Sequence, residues 1–190
     1  MARVLIPLAD GVEEMEAVII TDTLRRAGWD VDLAAVDEIQ VTASRGVRLA
    51  ADVKWQDVTF DDYDVLLIPG GGGGAERLRH HDGVLDAARR LHRAGKYVGA
   101  ICAGPTVLQA AGILEGRSAT CYPAMWEKLT AAKVSRERVV VDENIVTSQG
   151  PGTAFAFALK VIELVDGPEA MRTVADAMLV VPPSHTAKVD

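Results

Sequence analysis

Apolar and polar positions along this chain follow two rhythms that take turns. Val4 to Leu8 is a compact apolar run, the signature of a buried strand. From Glu13 to Ala27 the residues Met15, Val18, Ile19, Thr23 and Leu24 recur at helical spacing, and Gly28 supplies the stop. Asp30 to Val36 alternates as a strand. Val41 to Asp52 reads as a hairpin around Ser44-Arg45-Gly46, outside the main sheet. Val65 to Ile68 is a second buried strand that ends in Pro69 and five consecutive glycines, Gly70 to Gly74. A helix from Gly83 to His92 follows. Val98 to Ile101 then runs as a strand straight into Cys102, and Ala103-Gly104-Pro105 opens a helix that continues through Ala111. Proline near a first helical turn is tolerated because its missing N–H has no partner there.

Past this point the pattern predicts a strand over Ser118 to Tyr122 and a helix over Ala124 to Ala132. A hairpin of Val139–Val141 with Ile145–Thr147 turns across Asp142-Glu143-Asn144. The last helices span Thr153 to Val165 and Pro168 to Met178, with an irregular tail over 182–190. Strands alternating with helices imply an α/β fold: a mostly parallel sheet covered by helices on both faces. Such sheets bind ligands in the crevice outside the carboxyl ends of their strands. Three loops leave those ends, Ala9 to Glu14, Pro69 to Ala75 and Cys102 to Pro105, so the acidic turn, the glycine loop and the cysteine are expected to converge.

Composition narrows the function. A length of 190 residues fits one domain, 1–190. The net charge of −7 argues against a nucleic-acid surface, which needs a basic face. No apolar run approaches the roughly 20 residues of a membrane span, and the first residues lack a signal-peptide layout. Two cysteines, Cys102 and Cys121, are too few for a disulfide framework, and no Cys/His spacing suggests a metal site. The simplest compartment is the cytoplasm. The glycine run lacks the Gly-Lys-Ser/Thr ending of a phosphate loop and the spacing of a dinucleotide fingerprint. Cys102 stands on a strand-to-helix turn, the layout of a nucleophile elbow. Free N–H groups and a helix end facing its sulfur are expected to favour thiolate. Glu13 and Glu14 read as first-turn acids, His80 and His81 as solvated residues, and Cys121 as inert packing.

Four stretches, Gly11-Val12-Glu13-Glu14-Met15-Glu16, Pro69-Gly70-Gly71, Ala100-Ile101-Cys102-Ala103-Gly104-Pro105 and Thr147-Ser148-Gln149-Gly150-Pro151-Gly152-Thr153, carry a resemblance over nearly the whole chain. It resembles the ThiJ/PfpI superfamily, in the branch of the Parkinsonism-linked protein deglycase. The resemblance implies a flavodoxin-like sandwich of the class I glutamine amidotransferase kind and a homodimer. It also implies activity on glyoxal-type carbonyls or glycated adducts without a metal or organic cofactor, linked to oxidative-stress protection. On that resemblance Cys102 takes the nucleophile position and Glu16 that of the acid bonded to its sulfur. The N–H groups of Gly71 and Ala103 take the oxyanion position, and Arg45 lies near the dimer cleft as an anion contact.

The chain departs from the branch pattern at Tyr122, where a histidine is usual. Tyrosine can donate a hydrogen bond but is a poor base, its reference pKa being about 10. Ala103 stands where the proteolytic branch has a histidine, which argues against protease chemistry. The leading expectation is a slow glyoxalase or deglycase. The alternative is a redox-responsive stress or chaperone protein whose Cys102 is oxidised to a sulfinate. A hydratase or amidase of other superfamily branches ranks below both.

Overall fold

The computed structural model describes residues 1–180, and the tail expected over 182–190 lies outside them. Strand β1 (Arg3–Leu8) leads into helix α1 (Glu14–Arg26) and strand β2 (Asp30–Ala35). Strands β3 (Gln40–Thr42) and β4 (Arg48–Ala50) form the expected hairpin apart from the main sheet, and β5 (Val53–Lys54) returns to its edge. Then come β6 (Val65–Ile68), α2 (Gly72–Leu78), α3 (Asp82–Arg93), β7 (Tyr97–Ile101) and α4 (Pro105–Ala110). The last third holds β8 (Ser118–Ala119), β9 (Lys133–Val134), β10 (Val139–Asp142), β11 (Ile145–Ser148), α5 (Ala154–Asp166) and α6 (Pro168–Ala177).

The main sheet has seven strands in the order β10-β11-β7-β6-β1-β2-β5, parallel throughout except for the β10–β11 hairpin at one edge. Side chains alternate across it, as the period of two requires. Leu5, Leu66, Ile68, Val98 and Ala100 pack on one face with α2, α3 and α4. Val4, Ile6, Leu8, Val65, Leu67 and Ile101 pack on the other with α1, α5 and α6. Gly99 belongs to this second layer, because a Cβ there would stand 2.7 Å from Leu67 Cδ2 and 2.9 Å from Phe157 Cζ. The result is the flavodoxin-like sandwich.

Four expectations are corrected. Only Ser118–Ala119 of the predicted Ser118 to Tyr122 strand is extended in a ladder, and it pairs with β9 instead of the main sheet. The predicted Ala124 to Ala132 helix is a 3₁₀ segment over Pro123–Lys128. Its few apolar side chains are half-buried at best, too little burial to hold a full α-helix. The glycine run is not all turn, since Gly72 to Gly74 form the first turn of α2. Helix α1 is where its spacing puts it but faces differently: Glu16, Ala17, Ile20 and Leu24 are buried, while Met15 and Val18 are about half exposed.

Candidate active site

Strands β1, β6 and β7 are neighbours in the sheet, so the loops leaving their carboxyl ends meet in one place. Glycine permits how closely they meet. Gly71 has φ 88°, and a Cβ there would fall 2.2 Å from the Gly11 carbonyl oxygen and 2.5 Å from the Glu13 nitrogen. A Cβ on Gly74 would fall 2.7 Å from the Val12 nitrogen. The two loops therefore touch backbone to backbone, and the Glu13 N–H donates to the Gly70 carbonyl at 3.0 Å.

Glu16, in the first turn of α1, points into this seam and is 0% exposed. Its Oε2 accepts from the Gly70 N–H at 2.6 Å. Its Oε1 is buried with no hydrogen-bond partner among the described residues, and the Cys102 thiol interacts with the same carboxyl. Gly70 closes the triangle: a Cβ there would lie 2.5 Å from Cys102 Cβ, 2.7 Å from Glu16 Oε2 and 2.9 Å from the Ala103 nitrogen.

Cys102 follows the last residue of β7 with φ 62°, the left-handed region that few non-glycine residues adopt. It turns the chain sharply into α4, and the sulfur meets the N–H groups of Gly71 and Ala103. Those two amides pull the thiol pKa down, as expected. Burial works against them more strongly, and the negative charge and hydrogen bond of Glu16 add to it, so the thiol is pushed up to about 12. The amides do favour thiolate, as expected, but burial first and the Glu16 charge second outweigh them. Burial likewise pushes Glu16 up to about 7, against the Gly70 N–H and the Cys102 thiol, with a small upward contribution from Glu13. Between these values the pair carries one negative charge and one proton. Sulfur is the anion when Glu16 keeps the proton.

Tyr122 is tied to the same point by its backbone, whose N–H donates to the Cys102 carbonyl at 2.9 Å. Its side chain is 46% exposed, and its ring lies over Gly150. Arg45 is brought near the acidic turn by its backbone only: its N–H donates to Glu14 Oε1 at 2.8 Å, and its exposed guanidinium makes no ion pair among the described residues. Cys121 is buried, and burial raises its thiol to about 11, in keeping with a packing role. No group of metal-ligating side chains occurs among the described residues.

Two local roles escaped the sequence reading. Glu14 is buried and fastens the β3–β4 turn, with Ser44 Oγ 2.8 Å from Glu14 Oε2 and 2.8 Å from Glu13 Oε2. Burial tends to raise the Glu14 pKa, but N–H donors of Glu14, Arg45 and Val47 and the Ser44 hydroxyl outweigh it and hold the carboxyl below its ordinary value. His81 caps α3, its Nδ1 accepting from the Val84 N–H at 3.2 Å. Histidine is not among the usual capping residues, and Asp82 stands directly before the predicted run, so the sequence carried no signal for this role.

The family model described as DJ-1/PfpI matches residues 2–164. This chain belongs to the DJ-1/PfpI family. Within it, Protein DJ-1 homolog B of Arabidopsis thaliana is 42% identical over 180 residues, which are 94% of this chain and 41% of that protein. The chain therefore spans well under half of that relative. Glutathione-independent glyoxalase DJR-1.2 of Caenorhabditis elegans is 38% identical over 170 residues, 88% of this chain and 90% of that one. The crystal structure of Drosophila melanogaster DJ-1beta superposes with a TM-score of 0.92 at 40% identity, covering 95% of this chain and 99% of that one. These DJ-1 relatives support a DJ-1-type function for this chain. No helix of the described residues is long and apolar enough to cross a membrane.

Proposed function

We propose that this DJ-1/PfpI member is a cysteine-dependent, cofactor-independent enzyme of glyoxalase or protein-deglycase type, acting on methylglyoxal-like carbonyls or glycated adducts. The observation that carries this reading is the complete burial of Glu16, with its carboxyl bonded to the Gly70 N–H and set against the Cys102 thiol. An acid held near pH 7 releases and recovers a proton under neutral conditions, and here it does so beside a nucleophile.

In the proposed reaction the thiol proton passes to Glu16 as Sγ bonds to the aldehyde carbon and the carbonyl electrons become an oxyanion. The N–H groups of Gly71 and Ala103 hold that oxyanion. Glu16 then gives its proton to the oxygen of the adjacent carbonyl, the hydrogen of the aldehyde carbon moves as a proton through an enediolate to that carbonyl's carbon, and the oxyanion collapses to C=O. One carbon is thus oxidised as the other is reduced, Glu16 is again a carboxylate and no external oxidant is consumed. The product is a thioester of a 2-hydroxy acid. Water cleaves its C–S bond, releasing lactate and returning the thiol. Tyr122 serves as a hydrogen-bond donor at the rim and not as a base, which makes turnover slow.

The reading extends to a homodimer formed through the outer face of α1 and the neighbouring hairpin, where Met15, Val18 and Val47 stand about half exposed and Arg45 borders them. Clustered exposed apolar side chains mark interaction surfaces. A reducing compartment such as the cytoplasm suits the two free thiols. Lactate formation from methylglyoxal by the purified protein, set against Cys102→Ala, tests the enzyme reading. Equal rates would sink it.

One observation favours a second reading, the redox-responsive protein. When Glu16 keeps its proton, its carboxyl donates to an oxygen carried by the Cys102 sulfur and stabilises a sulfinate, a reading supported by the buried Oε1 that has no partner among the described residues. Intact-mass spectrometry after mild peroxide tests it. The expected product is a two-oxygen addition at Cys102 and none at buried Cys121.

A further inference from the structure

Cys102 is held in its left-handed turn from two sides, and both holds lead to the same hydroxyl. Its N–H donates to the Ser148 carbonyl at 3.0 Å, continuing the β7–β11 ladder by one bond. Its carbonyl accepts from the Tyr122 N–H at 2.9 Å. Beyond Ser148, the chain folds back over Gln149-Gly150-Pro151-Gly152 to Thr153, whose Oγ1 becomes a hub. Oγ1 lies 2.7 Å from Ser148 Oγ, and the N–H groups of Gly150 at 3.0 Å and Gln149 at 3.2 Å donate to it. Ser148 Oγ gives its own proton to the Arg138 carbonyl at 2.7 Å, so Thr153 is the donor toward Ser148 Oγ or toward the Gly150 carbonyl at 2.9 Å. Both side chains are buried. Gly150 in turn carries the Tyr122 ring, since a Cβ on it would stand 3.4 Å from Tyr122 Cδ2.

The contacts close on themselves: Cys102 to Ser148, Ser148 to Thr153, Thr153 to Gly150, Gly150 to Tyr122, and Tyr122 back to Cys102. We infer that Thr153 is the positioning residue of the Cys102 elbow, its hydroxyl fixing the end of β11 and the Tyr122 ring together and so setting where the sulfur sits against the Gly71 and Ala103 N–H groups. Thr153 acts through others and touches no reacting atom. A left-handed non-glycine residue persists only where its surroundings over-determine it, and this ring supplies that constraint from outside the elbow. Replacing the hydroxyl with a methyl group removes the acceptor of the Gly150 N–H, a buried donor that then lacks its partner.

The inference takes Cys102 as the reactive thiol of the proposed function, but its test needs no turnover. The pH dependence of Cys102 alkylation is followed by intact mass in wild type, Thr153→Val, Thr153→Ser and Tyr63→Phe. Glu16 of α1 acts directly on the thiol, Glu13 acts on Glu16, and Tyr122 borders the turn; all three are retained in every variant. Thr153→Val is expected to alkylate roughly tenfold more slowly at neutral pH with its profile displaced upward, the scale of one buried polar group losing its partner. Thr153→Ser restores the wild-type profile. Tyr63→Phe, which removes a 2.6 Å hydrogen bond to Asp32 at the far end of the sheet, leaves it unmoved. The inference is overturned if Thr153→Val matches wild type, if serine fails to restore the profile, or if Tyr63→Phe shifts it equally. Absent lactate with a displaced Thr153→Val profile would remove the proposed reaction and leave the positioning role standing.

Discussion

The two ends of strand β1 each gather charge, and they treat it in opposite ways. At the amino end Arg3 meets Asp30 at 3.3 Å, Asp32 at 3.5 Å and Asp62 at 3.7 Å, and its guanidinium stacks 4.6 Å above the Tyr63 ring. Every member but Asp32 and Tyr63 is substantially open to water, Arg3 at 39% and Asp30 at 57%. At the carboxyl end one carboxyl, Glu16, is sealed in with one thiol and no cation beside it. Water screens the first cluster, so its pairs contribute little and exchange freely. The second cluster has only backbone amides to answer its charge, so its proton becomes the mobile element. Exclusion of water, not the number of charges, separates an end whose charges are screened from one whose acid and thiol shift each other.

The widest gap between the two ends is expected in activity. Glu16→Gln cannot accept the thiol proton and should lower lactate formation by about 10²-fold or more, the ordinary worth of a positioned acid–base group. Arg3→Ala should leave the rate unchanged. A Glu16→Gln protein with wild-type turnover would erase the distinction.

Stability should separate them in the reverse direction. Folding raises the Glu16 pKa from 4.5 to about 7, so across that window the folded chain binds more protons than the unfolded one. The Glu16 contribution to stability therefore falls as pH rises from 4.5 to 7 and is level from there to about pH 9, where the raised thiols begin to add their own loss; the Glu16 loss is up to about 3 kcal/mol. Glu16→Gln should remove that slope and be the more stable protein at pH 8, as chemical denaturation at a series of pH values will show. Gly70→Ala comes next: its Cβ meets Cys102, Glu16 and Ala103 within 3 Å, and overpacking of this kind costs typically 1–3 kcal/mol. The same melts measure it. Smallest is Arg3→Ala, expected to cost about 0.5–1 kcal/mol and to lose even that in high salt. A larger loss there would mean that the stacking on Tyr63 matters more than the ion pairs.

Much of this contrast was legible in the chain. The apolar run of Val65 to Ile68 and the small residues before Cys102 announce buried parallel strands, and their loops have to meet at one edge. Glu16 and Cys102 could be paired only through resemblance, because they are far apart in sequence. The helical rhythm of residues 13–27 gave the helix but not its face, since burying Glu16 turned Met15 and Val18 outward. Gly72 to Gly74 hid a helical turn because glycine has weak intrinsic helix preference, and only at Gly74 does contact with the Val12 backbone make it the fitting residue. The direction of the Cys102 shift depends on burial and on a charge brought in by folding, neither of which spacing encodes. The Thr153 hub escaped for the same reason.

The glycine seam has a consequence for anyone who wishes to retrain this protein. Gly11, Gly70, Gly71 and Gly74 line the seam with main chain alone, so the inner wall offers no side chains to randomise. Libraries directed at those positions should yield mostly insoluble clones. Tyr122, Gln149 and Arg45 stand outside that wall with exposed or half-exposed side chains, so substitutions there leave the seam itself intact.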